Sequence, residues 1–215
     1  MLTKPQLLEQ LRLQHRLNSV VNPLWIEARN PWYRAVMVEA VEALDHHGWK
    51  WWKASTPDLP QVQIELVDIW HFVLSAFLEE GRGDAEWASD ALTNRIKSAG
   101  EHDFYASYDT RLVFDKLISA ASEKWFDASA FTKLMRRTGL DWAALHQMYL
   151  AKNILNLFRQ AHGYKEGTYI KTWFGQEDNV VLANLIETKP DVTTQQLLEK
   201  LEFIYSQVSD QKEPA

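Results

Sequence analysis

Two short acidic pairs constrain the fold of this chain more than any other feature of its sequence. Glu39 and Glu42 form the first pair, Glu65 and Asp68 form the second, and apolar residues surround both. In a helix, residues three apart project from one face, so each pair can aim two carboxylates at one point. The sequence therefore predicts two helices whose acidic faces meet.

Carboxylates that meet in this way predict a magnesium site. Like charges repel, and burial raises their pKa values further. Mg²⁺ removes the conflict because it prefers oxygen ligands, and it usually completes its shell with water and substrate phosphates. Solvated acids on amphipathic helices have the same spacing, but the apolar neighbours here leave few positions that could face water. We predict four metal ligands: Glu39, Glu42, Glu65 and Asp68.

Helix start and end signals recur along the chain, with Asp, Asn or Thr at starts and Gly at ends. No convincing alternating strand is present. These signals predict an all-α fold, a helical bundle with a rigid core and a smaller mobile lobe. We expect a single domain over residues 1–215, with a mobile cap formed within 81–145. The predicted helices are 3–18, 30–47, 58–81, 84–98, 109–124, 127–138, 141–162, 177–187 and 192–208.

Composition narrows the class of function. The net charge of −6 argues against a nucleic-acid backbone as partner. Because the chain has no cysteine, disulfides and thiolate metal sites are excluded. No apolar run approaches the about 18 residues of a transmembrane helix, and the first residues lack a targeting pattern. We expect a cytoplasmic protein that binds neither nucleic acid nor membranes.

Two groups of residues are candidates for contacting a nucleotide. Gln14 and Asn18 lie four apart on one helix face, and their amides offer both donors and acceptors, although surface amides are the commoner interpretation. Residues 49–53, Trp-Lys-Trp-Trp-Lys, form what we call the Trp–Lys segment. A ring there could stack on a base while a lysine reaches phosphate. Single-stranded nucleic-acid binders also interleave aromatic rings and cations.

A third group lies on the C-terminal side. Lys152, Asn156 and Arg159 share one face of a predicted helix, and Tyr164 follows its end. An ordinary hydrophilic stripe of an amphipathic helix would have the same spacing. Residues 164–179 then combine two glycines with polar groups, which suits a loop that folds over a ligand.

The order of these motifs resembles the all-α, dimeric dUTPases, relatives of the MazG-like nucleotide pyrophosphohydrolases. The order is E-x-x-E, H-x-G-W-K-W-W-K, E-L-V-D-I-W-H-F, K-N-x-L-N-x-F-R-x-x-H-G-Y-K and finally Y-K-x-G-x-Y-x-K-x-W-x-G-x-E-D-N. The acidic pairs alone indicate only the wider superfamily. The tryptophan and lysine run narrows the resemblance to the dimeric dUTPases within it. The resemblance spans about residues 10–180.

The resemblance implies a homodimer that cleaves dUTP and dUDP to dUMP by water attack on the phosphate chain. The attack would depend on two or more Mg²⁺ ions, for which Mn²⁺ could substitute. Glu42 is the carboxylate that we expect to orient or deprotonate the water. A dCTP/dUTP pyrophosphatase of nucleotide-pool control and a catalytically weak nucleotide-sensing protein are the alternatives.

Site residues can be assigned with the resemblance in hand. We predict base contacts by four side chains: Gln14, Asn18, Trp49 and Trp51. We predict phosphate contacts by eight side chains: Lys50, Lys53, Lys152, Asn156, Arg159, Tyr164, Lys171 and Asn179.

Overall fold

The structure, a computed structural model, describes residues 1–101, 103–188 and 193–210, and in these ranges the chain is predominantly helical. The all-α prediction is confirmed. The described helices are α1 Lys4–Val21, α2 Trp25–Ala28, α3 Trp32–His47, α4 Leu59–Glu80, α5 Ala85–Gly100, α6 Thr110–Ser122, α7 Ala128–Thr138, α8 Trp142–Ala161, α9 Asp178–Thr188 and α10 Thr194–Asp210.

Local capping explains why most of these helices begin where the sequence predicts. Thr3 and Gln6 form a capping box at α1, in which each side chain bonds the other residue's backbone. An aspartate side chain accepts a backbone N–H at each of five later helix starts, and such a cap is worth about 1 kcal/mol. These aspartates are Asp58, Asp84, Asp109, Asp127 and Asp141.

The expectation that strands are absent was wrong in one place. β1 (Thr172–Trp173) pairs antiparallel with β2 (Gln176–Glu177). Phe174 and Gly175 form the turn, and both have positive φ, +50° and +83°, as a tight hairpin of this hand requires. Two residues per strand are too few for an alternating pattern, so the sequence signal was missing. The short helix α2 was also unpredicted.

Two hydrophobic clusters build the core. The larger cluster surrounds α4, most of whose residues are buried, and includes the first half of α8 through Leu145 and Tyr149. The smaller cluster joins the second half of α8, through Leu155 and Phe158, to the hairpin, α9 and α10. α8 therefore connects both clusters.

The stretch 81–145 contributes α5, α6 and α7 to the larger cluster, with Leu92, Phe114 and Phe131 fully buried. A mobile cap within it stays a prediction, and the smaller cluster lies instead in the C-terminal part of the chain. Among the described helices, none is both long enough and apolar enough to cross a membrane.

Candidate active site

The packing of α3 against α4 brings three predicted metal ligands together. Glu39 and Glu42 come from α3 and Glu65 from α4, and each offers a carboxylate oxygen within 4.8 Å of the others. Asp68 lies one turn further along α4, where its Oδ2 accepts a hydrogen bond of 2.8 Å from Lys152 Nζ. The fourth predicted ligand thus stands beside the other three but is held by a lysine.

The electrostatics of this cluster favour a cation. Burial raises the pKa of Glu39 to about 7, and the charge of Asp68 adds to the effect. Burial likewise raises the pKa of Glu65 to about 8, with further contributions from Asp68 and Glu39. A hydrogen bond between the two side chains raises the pKa of Glu65 and lowers that of Glu39, and it requires a proton on one of the two carboxyls. A divalent ion would take over the role of that proton, and an all-carboxylate donor set suits Mg²⁺ or Mn²⁺.

A cavity of about 490 Å³ opens beside these acids. Its wall is built from α1 to α4, α8 and the segment that follows α8. Twelve of the predicted site residues line it: Gln14, Asn18, Glu39, Glu42, Glu65, Asp68, Lys152, Asn156, Arg159, Tyr164, Lys171 and Asn179. One cavity therefore contains the carboxylates, the amides and the cations that the sequence analysis selected.

Arg159 is fixed at the cavity wall by a buried aspartate. Its Nε and Nη2 donate to the two oxygens of Asp178 at 2.8 and 2.7 Å, and Tyr169 Oη donates to Asp178 Oδ2 at 2.7 Å. The Asp178 side chain is 0% exposed. Arg159 also donates to Asn156 Oδ1 at 3.0 Å and to Asn179 Oδ1 at 2.9 Å. A bidentate pair of this kind sets the orientation of the guanidinium.

Lys152 links the acids to the C-terminal segment. Besides its contact with Asp68, its Nζ donates to Asn179 Oδ1 at 2.8 Å, so it connects α4, α8 and α9. Lys171 also lines the cavity, and its Nζ lies 3.1 Å from Glu177 Oε2. The cations therefore surround the acid cluster on the side of α8 and the hairpin.

The amides of α1 are buried. Gln14 is 3% exposed and Asn18 6%, and Gln14 Nε2 donates to Asn18 Oδ1 at 2.9 Å. Gln14 Oε1 lies 2.7 Å from Nδ1 of His71, which is itself buried on α4. Gln14 and Asn18 are therefore not surface amides. Both are buried, and both line the cavity.

The residues of the Trp–Lys segment are not among those that line the cavity. Asp45 holds its first two residues, because Trp49 Nε1 donates to Asp45 Oδ1 at 2.9 Å and Lys50 Nζ lies 2.6 Å from the same oxygen. Trp51 is 84% exposed, and Lys53 is also exposed. Nucleotide contacts by Trp49, Lys50, Trp51 and Lys53 stay predictions.

Several lining residues were missed by the sequence analysis. His71 and Phe72 follow Asp68 on the same face of α4, one turn further on, so the spacing of the acidic stripe could have indicated them. Trp25 and Trp32 are interpreted from the sequence as core or dimer-interface residues that could also shape the base pocket, and they line the cavity together with Asn30, for which the sequence carried no signal.

Comparison with known protein families shows which family the chain matches. Residues 6–164 match the model of a family described as dUTPase, which covers well over half of the chain. No curated protein matches the sequence significantly.

Proposed function

Because the chain belongs to the dUTPase family, a family of nucleotide pyrophosphohydrolases, we propose that its acid-lined cavity hydrolyses dUTP, and also dUDP, to dUMP. Membership of the family supports dUTP diphosphatase activity. One observation carries the assignment to this cavity: three carboxylates within 4.8 Å of one another share its wall with buried amides and with cations. These are the groups that a metal, a base and a phosphate chain respectively need.

Glu39, Glu42 and Glu65 would hold two or more Mg²⁺ ions, and Asp68 can join them through the oxygen that Lys152 does not occupy. Bound there, Mg²⁺ would neutralise charge on the phosphates and lower the pKa of a water. Burial and repulsion by neighbouring carboxylates raise the pKa values of Glu39 and Glu65, and a bound cation would relieve that repulsion.

The phosphate chain would lie against the cations of α8 and the hairpin segment. Lys152 and Arg159 are buried and fixed by hydrogen bonds, so they are positioned before substrate arrives. Such fixed donors stabilise transition-state charge without reorganisation. The remaining phosphate contacts would come from Asn156, Tyr164, Lys171 and Asn179, all of which line the cavity.

Glu42 would orient or deprotonate the attacking water. It is the exposed member of the acid cluster, so water reaches it most easily. Full turnover by the Glu42→Gln variant, with metal binding intact, would rule out this role.

The enzyme would act as a homodimer. α3 exposes an apolar stripe through Val38, 44% exposed, and Val41, 48% exposed, next to Glu42. A second copy of the chain would remove this surface from water. Light scattering at micromolar concentration should give twice the mass of the chain, and a monomer would contradict the proposal.

The test is pyrophosphate release from dUTP, dCTP, dTTP and dATP, and phosphate release from dUDP, each with Mg²⁺ and with EDTA. We expect metal-dependent hydrolysis confined to dUTP and dUDP. Comparable turnover of dCTP would indicate broader control of nucleotide pools. Tight dUTP binding without hydrolysis would indicate a sensing protein and overturn the enzyme assignment.

A further inference from the structure

The last carbonyl group of α1 accepts a hydrogen bond from a lysine that is distant in the chain. Lys165 Nζ donates to the Val21 backbone oxygen at 3.0 Å, so the bond joins residues 144 apart. The final carbonyl groups of a helix have no partner within it, and they lie at the negative end of its dipole. Because the last turn of α1 contains no basic residue, Lys165 supplies the cation that this helix end favours.

Lys165 belongs to a tight loop, residues 163–168, that follows the end of α8. The Thr168 N–H donates to the Gly163 carbonyl oxygen at 3.0 Å, and the Gly167 N–H donates to the Tyr164 carbonyl oxygen at 3.2 Å. Gly163 has a φ of +84°, and a Cβ at this position would collide with Thr168 Oγ1. The backbone of the 163–168 loop is therefore closed on itself, and Lys165 moves with the rest of the loop.

The bond of Lys165 joins two walls of the cavity. Val21 and Asn22 line the cavity on the side of α1, and Gln160 and Tyr164 line it on the side of α8. Lys165 is not among the lining residues, and its ammonium group is instead occupied by the end of α1. The lysine therefore connects the walls without forming part of the cavity surface.

The residue that this connection holds in place is Tyr164. Its ring lies 5.7 Å from the guanidinium carbon of Arg159, which is a cation–π distance, and 5.8 Å from the ring of Tyr169. The Tyr164 side chain is nevertheless exposed, so these contacts cover only part of it. Since Tyr164 and Lys165 are neighbours in one closed loop, the bond to Val21 fixes where the tyrosine stands.

The strength of this bond suits a contact that opens and closes. Lys165 is exposed, and a hydrogen bond in water contributes little to the free energy of unfolding. Elements that move during binding are drawn from the least stable parts of a fold. A weak bond across the cavity can therefore release when a nucleotide enters or leaves, without unfolding either wall.

We propose that Lys165 is a positioning residue, whose bond to the Val21 carbonyl holds the 163–168 loop, and with it Tyr164, against the bound nucleotide. The inference rests on the proposed function, because it takes Tyr164 to contact the phosphate chain. Lys165 itself acts through Tyr164 and does not touch the substrate. Loss of the bond shortens the time for which the cavity holds a nucleotide and leaves the acid cluster unchanged.

Three substitutions separate the hydrogen bond of Lys165 from its bulk. Lys165→Ala removes the side chain, Lys165→Met keeps an apolar stem without a donor, and Lys165→Arg keeps a charged donor. Lys116→Ala is the control, because Lys116 is also exposed but lies on α6 and does not line the cavity. All four variants should keep the wild-type Tm within about 2 °C, since the altered side chains are exposed.

The first readout is the change in KM for dUTP compared with the change in kcat. In Lys165→Ala and Lys165→Met we expect KM to rise by about 5-fold while kcat does not fall, because one hydrogen bond that retains the nucleotide is lost. Lys165→Arg should restore KM to within about 2-fold of the wild type, and Lys116→Ala should leave it unchanged. An unchanged KM in Lys165→Ala, or a kcat that falls together with Tm, would overturn the proposal.

The second readout is a double-mutant cycle with Tyr164→Ala, measured as the Kd of dUMP by calorimetry. Lys165→Ala should weaken binding by about 5-fold in the wild type but by less than about 2-fold when Tyr164 is already absent. The same loss in both backgrounds would show that Lys165 acts independently of Tyr164, and it would overturn the proposal while leaving the proposed function intact. Failure of the wild-type protein to hydrolyse any nucleotide in Mg²⁺ would instead overturn the proposed function.

Discussion

Two carboxylate sites lie close to the cavity, and they differ in what neutralises them. Asp178 is fully buried, yet every contact it makes is favourable, with two bonds from Arg159 and one from Tyr169. Glu65 is 8% exposed, its Oε1 lies 3.7 Å from His46 Nε2, and its neighbours in the acid cluster are other carboxylates. The Asp178 carboxylate is thus neutralised by partners within the chain, whereas the Glu65 carboxyl lies beside carboxylates that would repel its negative charge.

This difference suits the two carboxylate sites to different roles: one orients a neighbouring side chain, and the other can bind a cation. A buried carboxylate whose charge is balanced within the chain fixes its partner, and Asp178 fixes Arg159 at the cavity wall. Carboxylates that repel one another carry a free-energy cost, which is relieved when a cation binds. On the proposed function, the acids that would bind a cation repel one another, whereas Arg159, which would contact phosphate, is already paired with Asp178.

The largest effect should come from removing one of the repelling acids. In Glu65→Gln we expect kcat for dUTP to fall by at least about 10³-fold, because a metal ligand is lost. At pH 9, where Glu65 is ionised, the metal-free variant should nevertheless have a higher Tm than the wild type, because the repulsion is relieved.

The control for this variant is Glu80→Gln on the same helix, since Glu80 accepts from Tyr33 and lies outside the cavity lining. It should keep wild-type kcat. A Glu65→Gln enzyme that keeps its kcat would contradict the metal-binding role of Glu65. A variant that is less stable than the wild type without metal would contradict the repulsion between the acids.

At the paired site the expected effect is on stability. Asp178→Asn should lower the free energy of unfolding by about 3 kcal/mol or more, because it leaves the Arg159 guanidinium buried without its counter-charge. Urea unfolding measures this change. KM for dUTP should rise as well, because Arg159 is no longer held in place.

Asp127→Asn provides the comparison for Asp178. Asp127 is also buried at a helix start, but it accepts from the Tyr105 hydroxyl and the Ala130 N–H rather than from an arginine. Its loss should be smaller, near the value of a helix cap, about 1 kcal/mol. Equal losses of unfolding free energy in the two variants would show that the pairing of Asp178 with Arg159 adds no stability beyond that of a helix cap.

A smaller effect concerns pH. The pKa values of Glu39, about 7, and Glu65, about 8, lie above the ordinary 4.5, so the folded chain binds protons more tightly than the unfolded chain. Stability without metal should therefore fall as pH rises from about 5 to about 8, by at least about 1 kcal/mol. Denaturation in EDTA and in Mg²⁺ at both pH values tests this, since Mg²⁺ should suppress the loss. A metal-free stability that rises over this range would contradict the raised pKa values.

The smallest effect should come from an exposed carboxylate. Asp45 is paired with Lys50 and Trp49, but its side chain is 53% exposed, and such pairs contribute little. Asp45→Ala should change the Tm by less than about 2 °C. A larger drop, measured by differential scanning calorimetry, would mean that the Trp–Lys segment supports the fold.

Sequence patterns predicted what is local in this chain. The capping aspartates fixed most helix starts, and spacings of three and four residues selected side chains that meet in one cavity. The network of Gln14 and His71 joins residues 57 apart, so no local spacing indicated it. The Trp–Lys segment was assigned to the nucleotide by its composition, yet in the structure Asp45 holds two of its residues outside the cavity lining.

The cation-binding role of the acid cluster is tested most directly by calorimetric titration of the metal-free protein with Mg²⁺, in buffers of different ionisation enthalpy. At pH 7, binding should release roughly one proton per chain, because Glu39 and Glu65 are then partly protonated. At pH 9 the release should be close to zero. Binding without proton release at pH 7, or the same release by the Glu65→Gln variant, would contradict the view that these carboxylates are held in conflict until a cation arrives.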